Sequence, residues 1–345
     1  MYQFENYQQF NSYFQIIKLT HFQIDRMKFR TEVNVAESEN KIGIEDKIFS
    51  IGSCFASEMS DLFQKGQLQT VNNPFGTIFN PFSINNSVKR LHDSEFYNED
   101  ELISYQDEFI SLDHHTSFDT RFIHQTLDKI NSKLVEGNQF LQESKLVIIT
   151  YGTSFIYEFQ PKKKLVANCH KIPQKFFEKR LLTHPELTDS IYDTIINLKD
   201  ICPENLQILF TVSPVRHSKD GMIENQLSKS KLITAVHEVI SQFENCHYLP
   251  IYEILMDDLR DYRFYKDDLI HPNSQAVNYI FEKFGNAYFS DETKDFIREN
   301  FKINQALEHR TDDEKDPKFI EFKEKLNQRI EVQRLKVKHK IFSDD

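Results

Sequence analysis

Apolar residues along this chain fall into short continuous runs separated by longer stretches with helical spacing. Residues 48–52, 68–71, 146–151, 206–212 and 247–251 read as strands, and the run Leu146-Val147-Ile148-Ile149-Thr150-Tyr151 is apolar without alternation. That is the pattern of a strand buried on both faces of a parallel sheet. Between the runs, residues 121–141, 187–198 and 226–243 read as helices, and another helix begins near Cys54 with Ala56, Met59, Leu62 and Phe63 on one face. Strand and helix alternate, which predicts right-handed crossovers and a three-layer α/β/α sandwich around a mostly parallel sheet of about five strands. Ligands in such sheets sit at the carboxyl ends of the strands. Gly52, Tyr151-Gly152-Thr153-Ser154, Ser213-Pro214 and the stretch after Ile251 all lie at those ends, so they converge on one crevice.

The pattern weakens at both ends of the chain. Residues 27–33 alternate and read as an edge strand or ordered arm, whereas residues 1–26, rich in Gln, Asn, Tyr and Phe, show no sustained period. They read as an N-terminal extension, with Met27 as the expected native start and a main domain over 27–290. The tail, 291–345, is highly charged and carries Phe319, Phe322, Leu326 and Ile330 at helical spacing. It is expected either to pack on the domain as an amphipathic helix or to serve as a dimerisation or partner helix.

Composition narrows the class. A net charge of -11 argues against a nucleic-acid partner bound through phosphate neutralisation. With only 8 glycines there is no Gly-rich phosphate loop or dinucleotide fingerprint, so no cofactor is expected. The 4 cysteines are widely spaced, with no C-x-x-C and no signal-peptide pattern ahead of them, which fits a cytoplasmic chain with reduced thiols. No apolar run reaches transmembrane length, and no membrane partner is expected.

Two segments carry candidate chemistry. In Asp268-Leu269-Ile270-His271-Pro272, Pro272 suits the first turn of a helix through Ala276, Tyr279, Ile280 and Phe284, which places Asp268 and His271 on the loop feeding it. An Asp three residues before a His can accept its Nδ1 proton and leave Nε2 as a general base. The plainer alternative has Asp268 capping local backbone and His271 packing in the loop. The second segment is a strand ending in Gly52, then Ser53 and Cys54, then a helix. A nucleophile there gains from unpaired N–H groups and the positive end of the helix dipole, whereas the plainer alternative makes Ser53 an N-cap and Cys54 a small core residue. Cys169-His170 and Asp113-His114-His115 lack zinc-site spacing, and no metal is expected. Arg216, His217 and Lys219 follow a strand end, where they can hold an anionic or sugar group or remain solvent-exposed charges. Arg260 and Arg263 flank the Asp268 loop and are expected to hold it through Asp261.

Ile51-Gly52-Ser53-Cys54-Phe55-Ala56 resembles the signature of the GSCFA family. Collinear segments resemble the same family: Asn73-Pro74-Phe75-Gly76 with Asn80-Pro81, Tyr151-Gly152-Thr153-Ser154, Asn168-Cys169-His170-Lys171, Thr211-Val212-Ser213-Pro214-Val215-Arg216-His217, and Arg260-Asp261-Tyr262-Arg263-Phe264-Tyr265 leading into Asp268. That family is similar to the SGNH, or GDSL-like, hydrolases, which act on ester bonds of acetylated sugars, lipids and related compounds. The resemblance implies a flavodoxin-like fold and an esterase or O-acyltransferase with a Cys/Ser-His-Asp triad that includes His271 and Asp268. Its substrate would be a small-molecule or carbohydrate ester, with a thioester as an acyl donor. A gapless match to Gly-Asp-Ser puts Cys54 at the nucleophile, and a one-residue shift puts Ser53 there. Cys54 is favoured because Gly52 and Phe55 then stay in register. Gly76 is the expected second-block oxyanion donor. Ser154 stands where an Asn is expected, so either its hydroxyl or Asn168 would complete the oxyanion hole, while Arg216, His217 and His170 are the candidate substrate-binding residues. The departure at the third block also raises the alternative of a weakly active or inactive carbohydrate- or anion-binding protein on the same fold.

Overall fold

The computed structural model describes residues 30–308 and 316–342. The chain divides into Met1–Glu32 and Val33–Asp345, and the second unit holds everything below. The expected extension over 1–26 and the start at Met27 lie outside the described residues. Residues 30–33 of the expected arm form no strand.

In chain order the main unit runs β1 (Lys47–Gly52), α1 (Cys54–Lys65), β2 (Thr70–Asn72), α2 (Pro81–Asp93), β3 (Ile103–Tyr105), β4 (Glu108–Ile110) and α3 (Ile123–Leu141). It continues through β5 (Ser144–Tyr151), β6 (Phe155–Phe159), β7 (Lys164–Val166), β8 (Phe177–Leu181), α4 (His184–Ile201), β9 (Gln207–Val212) and α5 (Met222–Ile240). The last elements are β10 (Cys246–Tyr248), α6 (Ser274–Tyr288), α7 (Asp291–Leu307) and α8 (Pro317–Arg334).

Five strands form one parallel sheet in the order β10-β9-β5-β1-β2. Counted along the chain this is the flavodoxin order 2-1-3-4-5, whose reversal between β1 and β5 opens a crevice at the carboxyl ends. Alternation within the strands builds two cores. Phe49, Ile51, Val147, Ile149 and Phe210 meet Val88, Leu134, Ile191 and Val236 of α2 to α5. Ile48, Leu146, Ile148 and Leu209 meet Phe55 and Phe63 of α1, Phe284 of α6 and Phe296 of α7 on the other face. The molecule is therefore a three-layer α/β/α sandwich.

Local chemistry moves several boundaries. Residues 247–251 do not form a strand throughout: pairing stops at Tyr248, and the chain turns helical at Ile251 just after Pro250, which has no N–H for a ladder. Pro272 is not the first turn of α6. The Asn273 side chain accepts from Ala276 N and caps the helix, leaving Pro272 outside it in a bridge to Tyr265. A small antiparallel sheet, β7-β6-β8, and the hairpin β3–β4 stand beside the main sheet, and neither was expected. The boundary expected at residue 290 cuts through one core, because Phe296 and Ile297 cluster with Phe55. Beyond α7, Leu326 and Ile330 of α8 close over Ile303, and His339 Nε2 donates to Gln67 O at 2.9 Å. No helix among the described residues is long and apolar enough to cross a membrane.

Candidate active site

The turn after β1 dictates its own sequence. Gly52 has φ 141°, and a Cβ there would collide with the carbonyl oxygen of Thr150, so β1 ends by lying hard against β5. Ser53 N donates to that same oxygen at 2.9 Å. Ser53 occupies the cap position of α1, yet its hydroxyl caps nothing: Oγ is buried without a hydrogen-bond partner among the described residues. Cys54 follows as the first helical residue. Burial, then Glu58, raise its thiol pKa, while Lys229 and the N–H groups of Cys54 and Phe55 pull it down. The balance is upward, so Cys54 rests as a thiol and requires a base.

A candidate base stands on the loop before α6. His271 Nδ1 donates to Asp268 Oδ2 at 2.7 Å, while Asp268 Oδ1 accepts from Ile270 N at 2.8 Å and His271 N at 3.0 Å. These amide bonds, followed by the ring, hold the Asp268 carboxyl at a pKa of about 2. It is ionised at neutral pH and directs the His271 proton to Nδ1, leaving Nε2 available as an acceptor. Two contacts fix the loop: Lys266 Nζ reaches Glu58 Oε1 of α1 at 2.7 Å, and Arg216 N donates to Ile270 O at 3.3 Å. The Arg216 guanidinium also sits 4.3 Å from the Tyr265 ring. The expected clamp through Asp261 is only an exposed pair, Arg263 to Asp261 at 3.8 Å, so Arg216 takes that role.

Ser53, Cys54, Thr77, Arg216, His217 and His271 line one open cleft of about 420 Å³ at the strand ends. The other expected members are used elsewhere. Gly76 N donates to Asn73 O at 2.7 Å, so this amide closes a turn and is not offered to the cleft; its neighbour Thr77 lines the cleft instead. Asn73 ties the two loops together by accepting from Gly52 N at 2.7 Å. Ser154 is fully buried, with its amide and hydroxyl both committed to Ser228. Asn168 Oδ1 accepts from His170 N at 2.8 Å, and Asn168 is not among the residues that line the cleft. The His170 ring is 2% exposed and bonded on both sides, to Asp119 at 2.9 Å and to Ser111 O at 2.8 Å, which removes it from substrate binding. His114 is stacked 4.9 Å from Phe75, and burial drives its pKa down to about 3.

The GSCFA family model matches residues 47–284, which takes in the Cys54 turn, the cleft and the Asp268 loop. The chain belongs to the GSCFA family. No curated protein matches this GSCFA chain. Solved structures resemble it at low identity. A carbohydrate esterase family 3 protein from Talaromyces cellulolyticus is 6% identical with a TM-score of 0.37, over 73% of this chain and 98% of that one. A carbohydrate esterase family 2 enzyme with a carbohydrate-binding domain, from Corynascus thermopiles (Myceliophthora fergusii), is 11% identical with a TM-score of 0.37, over 74% and 67%. A DUF4886 family protein from Bacteroides uniformis is 8% identical with a TM-score of 0.36, over 77% and 97%.

Beside the cleft of this GSCFA chain stands a lysine that the sequence pattern did not single out, bonded to the cleft-lining Ser213. Lys229 of α5 is buried at 1% exposure, and its Nζ donates to Gly152 O at 2.6 Å and to Ser213 O at 2.7 Å, just past the ends of β5 and β9. Burial lowers its pKa to about 7. Its position was readable: Asn225, Ser228, Lys229, Leu232 and Val236 share the buried stripe of α5, an odd place for a lysine. Asn225 also accepts from His217 N at 2.9 Å, setting His217 edge-on to Phe79. Burial, then Lys229, bring His217 down to about 4, so it is neutral at pH 7.

Proposed function

We propose that this GSCFA protein cleaves small esters by acyl transfer, with Cys54 as nucleophile, His271 as general base and acid, and Asp268 as the group that orients His271. The observation that carries this reading is the 2.7 Å Asp268–His271 pair in one cleft with a cysteine at a helix N-terminus. Cys54 is preferred to Ser53 because the Ser53 hydroxyl is enclosed, whereas the Cys54 side chain is half-buried at the cleft.

In the first half, His271 Nε2 takes the Sγ proton while sulfur bonds to the ester carbonyl carbon. The oxyanion is met by backbone N–H groups at the start of α1 and at Thr77. Collapse breaks the C–O bond, and His271 returns the proton to the departing alcohol. In the second half, water loses a proton to His271 and attacks the thioester carbonyl, releasing the acid as the proton returns to sulfur. An alcohol in place of water makes the same chemistry an O-acyl transfer, and a thioester can replace the ester as donor. An acylated carbohydrate suits an open cleft in which Arg216, His217 and Lys219 stand beside Phe79, Val215 and Ile270.

The test is turnover of p-nitrophenyl acetate together with mass spectrometry of the trapped adduct. Cys54→Ala should abolish both turnover and adduct, His271→Ala should lower kcat by about 10³-fold or more, and Ser53→Ala should retain activity within about tenfold. Equal turnover by wild type and His271→Ala removes the reading. The commitment of Gly76, Ser154 and Asn168 to the fold favours one rival, a carbohydrate- or anion-binding protein. It would bind acetylated sugar without forming an adduct.

A further inference from the structure

With its pKa lowered by burial to about 7, Lys229 is partly charged at neutral pH, and among the described residues no anion offsets that charge. Its ammonium is enclosed, and the two bonds that it makes go to carbonyl oxygens, which satisfy N–H groups without cancelling the charge. Among the described residues no carboxylate pairs with it. Such a cation is expensive to bury, so an arrangement of this kind calls for an anion present at some stage of the protein's work. The groups that feel it point to where that anion forms. Ser213, whose carbonyl Lys229 holds, lines the same cleft as Cys54 at the start of α1; Cys54 raises the Lys229 pKa, and Lys229 in turn lowers that of Cys54. His217, arriving from the turn after β9, is pushed down by Lys229 and by His271. Nearby carboxylates have other partners: Glu58 is held by Lys266, and Asp220 by Lys179.

We propose that Lys229 is a positioning residue whose ammonium is the built-in counter-charge for the anion formed at Cys54, first as thiolate and then as tetrahedral oxyanion. The inference rests on Cys54 being the nucleophile. When the proton leaves Sγ for His271 Nε2, the pocket gains one negative charge on sulfur and one positive charge on the ring. Lys229 then gains the negative partner that it lacks at rest. Its two carbonyl bonds fix Gly152 and Ser213, so the charge stays in place without reorganisation when the anion appears. This explains why a lysine, with a compact point charge on an apolar stem, occupies the buried stripe of α5.

The experiment is the pH profile of Cys54 alkylation by iodoacetamide, read by peptide mass spectrometry, in wild type and Lys229→Met. Mapping separates Cys54 from Cys202 and Cys246, whose thiols burial pushes up to about 12. The Cys54 midpoint should move up by about one pH unit or more in Lys229→Met, which slows alkylation below the midpoint by about tenfold. If Lys229 were only a strut for the two strand ends, the variant would melt earlier with the midpoint unmoved, and that result overturns the proposal. A second measurement serves if the methionine variant does not fold: NMR titration of 13C-labelled lysine in wild type and Cys54→Ala. Coupling requires the Lys229 titration to fall to lower pH when the thiol is gone, and an unchanged titration overturns the proposal. Both readouts follow protons on Cys54 or Lys229 rather than turnover, so an inactive enzyme with a shifted midpoint would sink the ester-cleaving reading and leave the pairing standing.

Discussion

Asp268 accepts bonds from one ring and two amides, and this leaves the His271 ring little freedom to turn. Replacing it with Asn keeps the shape but offers an N–H to Nδ1, which favours the tautomer with its proton on Nε2. Asp268→Asn should therefore lose about 10³- to 10⁴-fold in kcat while its urea midpoint stays close to wild type. Gly52 is under a different demand. Gly52→Ala puts a methyl into the Thr150 carbonyl at a φ that side chains rarely adopt, and urea denaturation should show a loss of about 3 kcal/mol or more. Acid acts through the buried imidazoles. His114 titrates near 3 in the fold against about 6.5 unfolded, so the unfolded chain takes up the proton first as pH drops. Its stability contribution is complete above pH 6.5 and is eroded as pH falls toward 3. In His114→Phe, the plot of Tm against pH between 6.5 and 4 should be shallower than in wild type.

Between elements, the Lys266–Glu58 contact joins the loop that carries His271 to the helix that carries Cys54. Both side chains are partly exposed, so Lys266→Ala should cost under about 1 kcal/mol of stability. The expected signature is a several-fold lower kcat for p-nitrophenyl acetate with Tm nearly unchanged. Periodicity made the parallel strands and the long helices legible, because Leu146 to Tyr151 can be buried on both faces only inside a doubly covered sheet. The strands β6, β7 and β8 escaped notice because they are short and only partly buried, with no clear alternation to mark them. At the site, Asp268 and His271 were readable because their bonds are local in sequence. That the Gly76 amide closes a turn was not legible, since nothing in Asn73-Pro74-Phe75-Gly76 tells which amide a turn consumes. Lys229 was hidden for the opposite reason: its meaning depends on Gly152 and Ser213, which the chain brings to it from two other segments.

Across the molecule, chemistry and closure lie at opposite ends of the sheet. The cleft opens where β1, β5 and β9 finish, whereas the residues after α8 return to the segments that precede β1 and β2. There Lys338 N donates to Glu45 at 2.6 Å, and Phe342 N donates to Gln67 at 2.9 Å. Together with the cover that Leu326 and Ile330 give Ile303, this makes α8 a stabilising element. Truncation after Leu307 should cost about 3–6 kcal/mol in urea, by the burial of two large aliphatic side chains alone, while turnover per folded molecule at low temperature persists. The same layout governs how the protein behaves on a solid support. Tethered through a residue beside Lys338, the molecule stands on the amino edge of its sheet with the cleft turned to the bulk solution, so a bead-bound preparation should keep its kcat/KM even for substrates too large to slip beneath it.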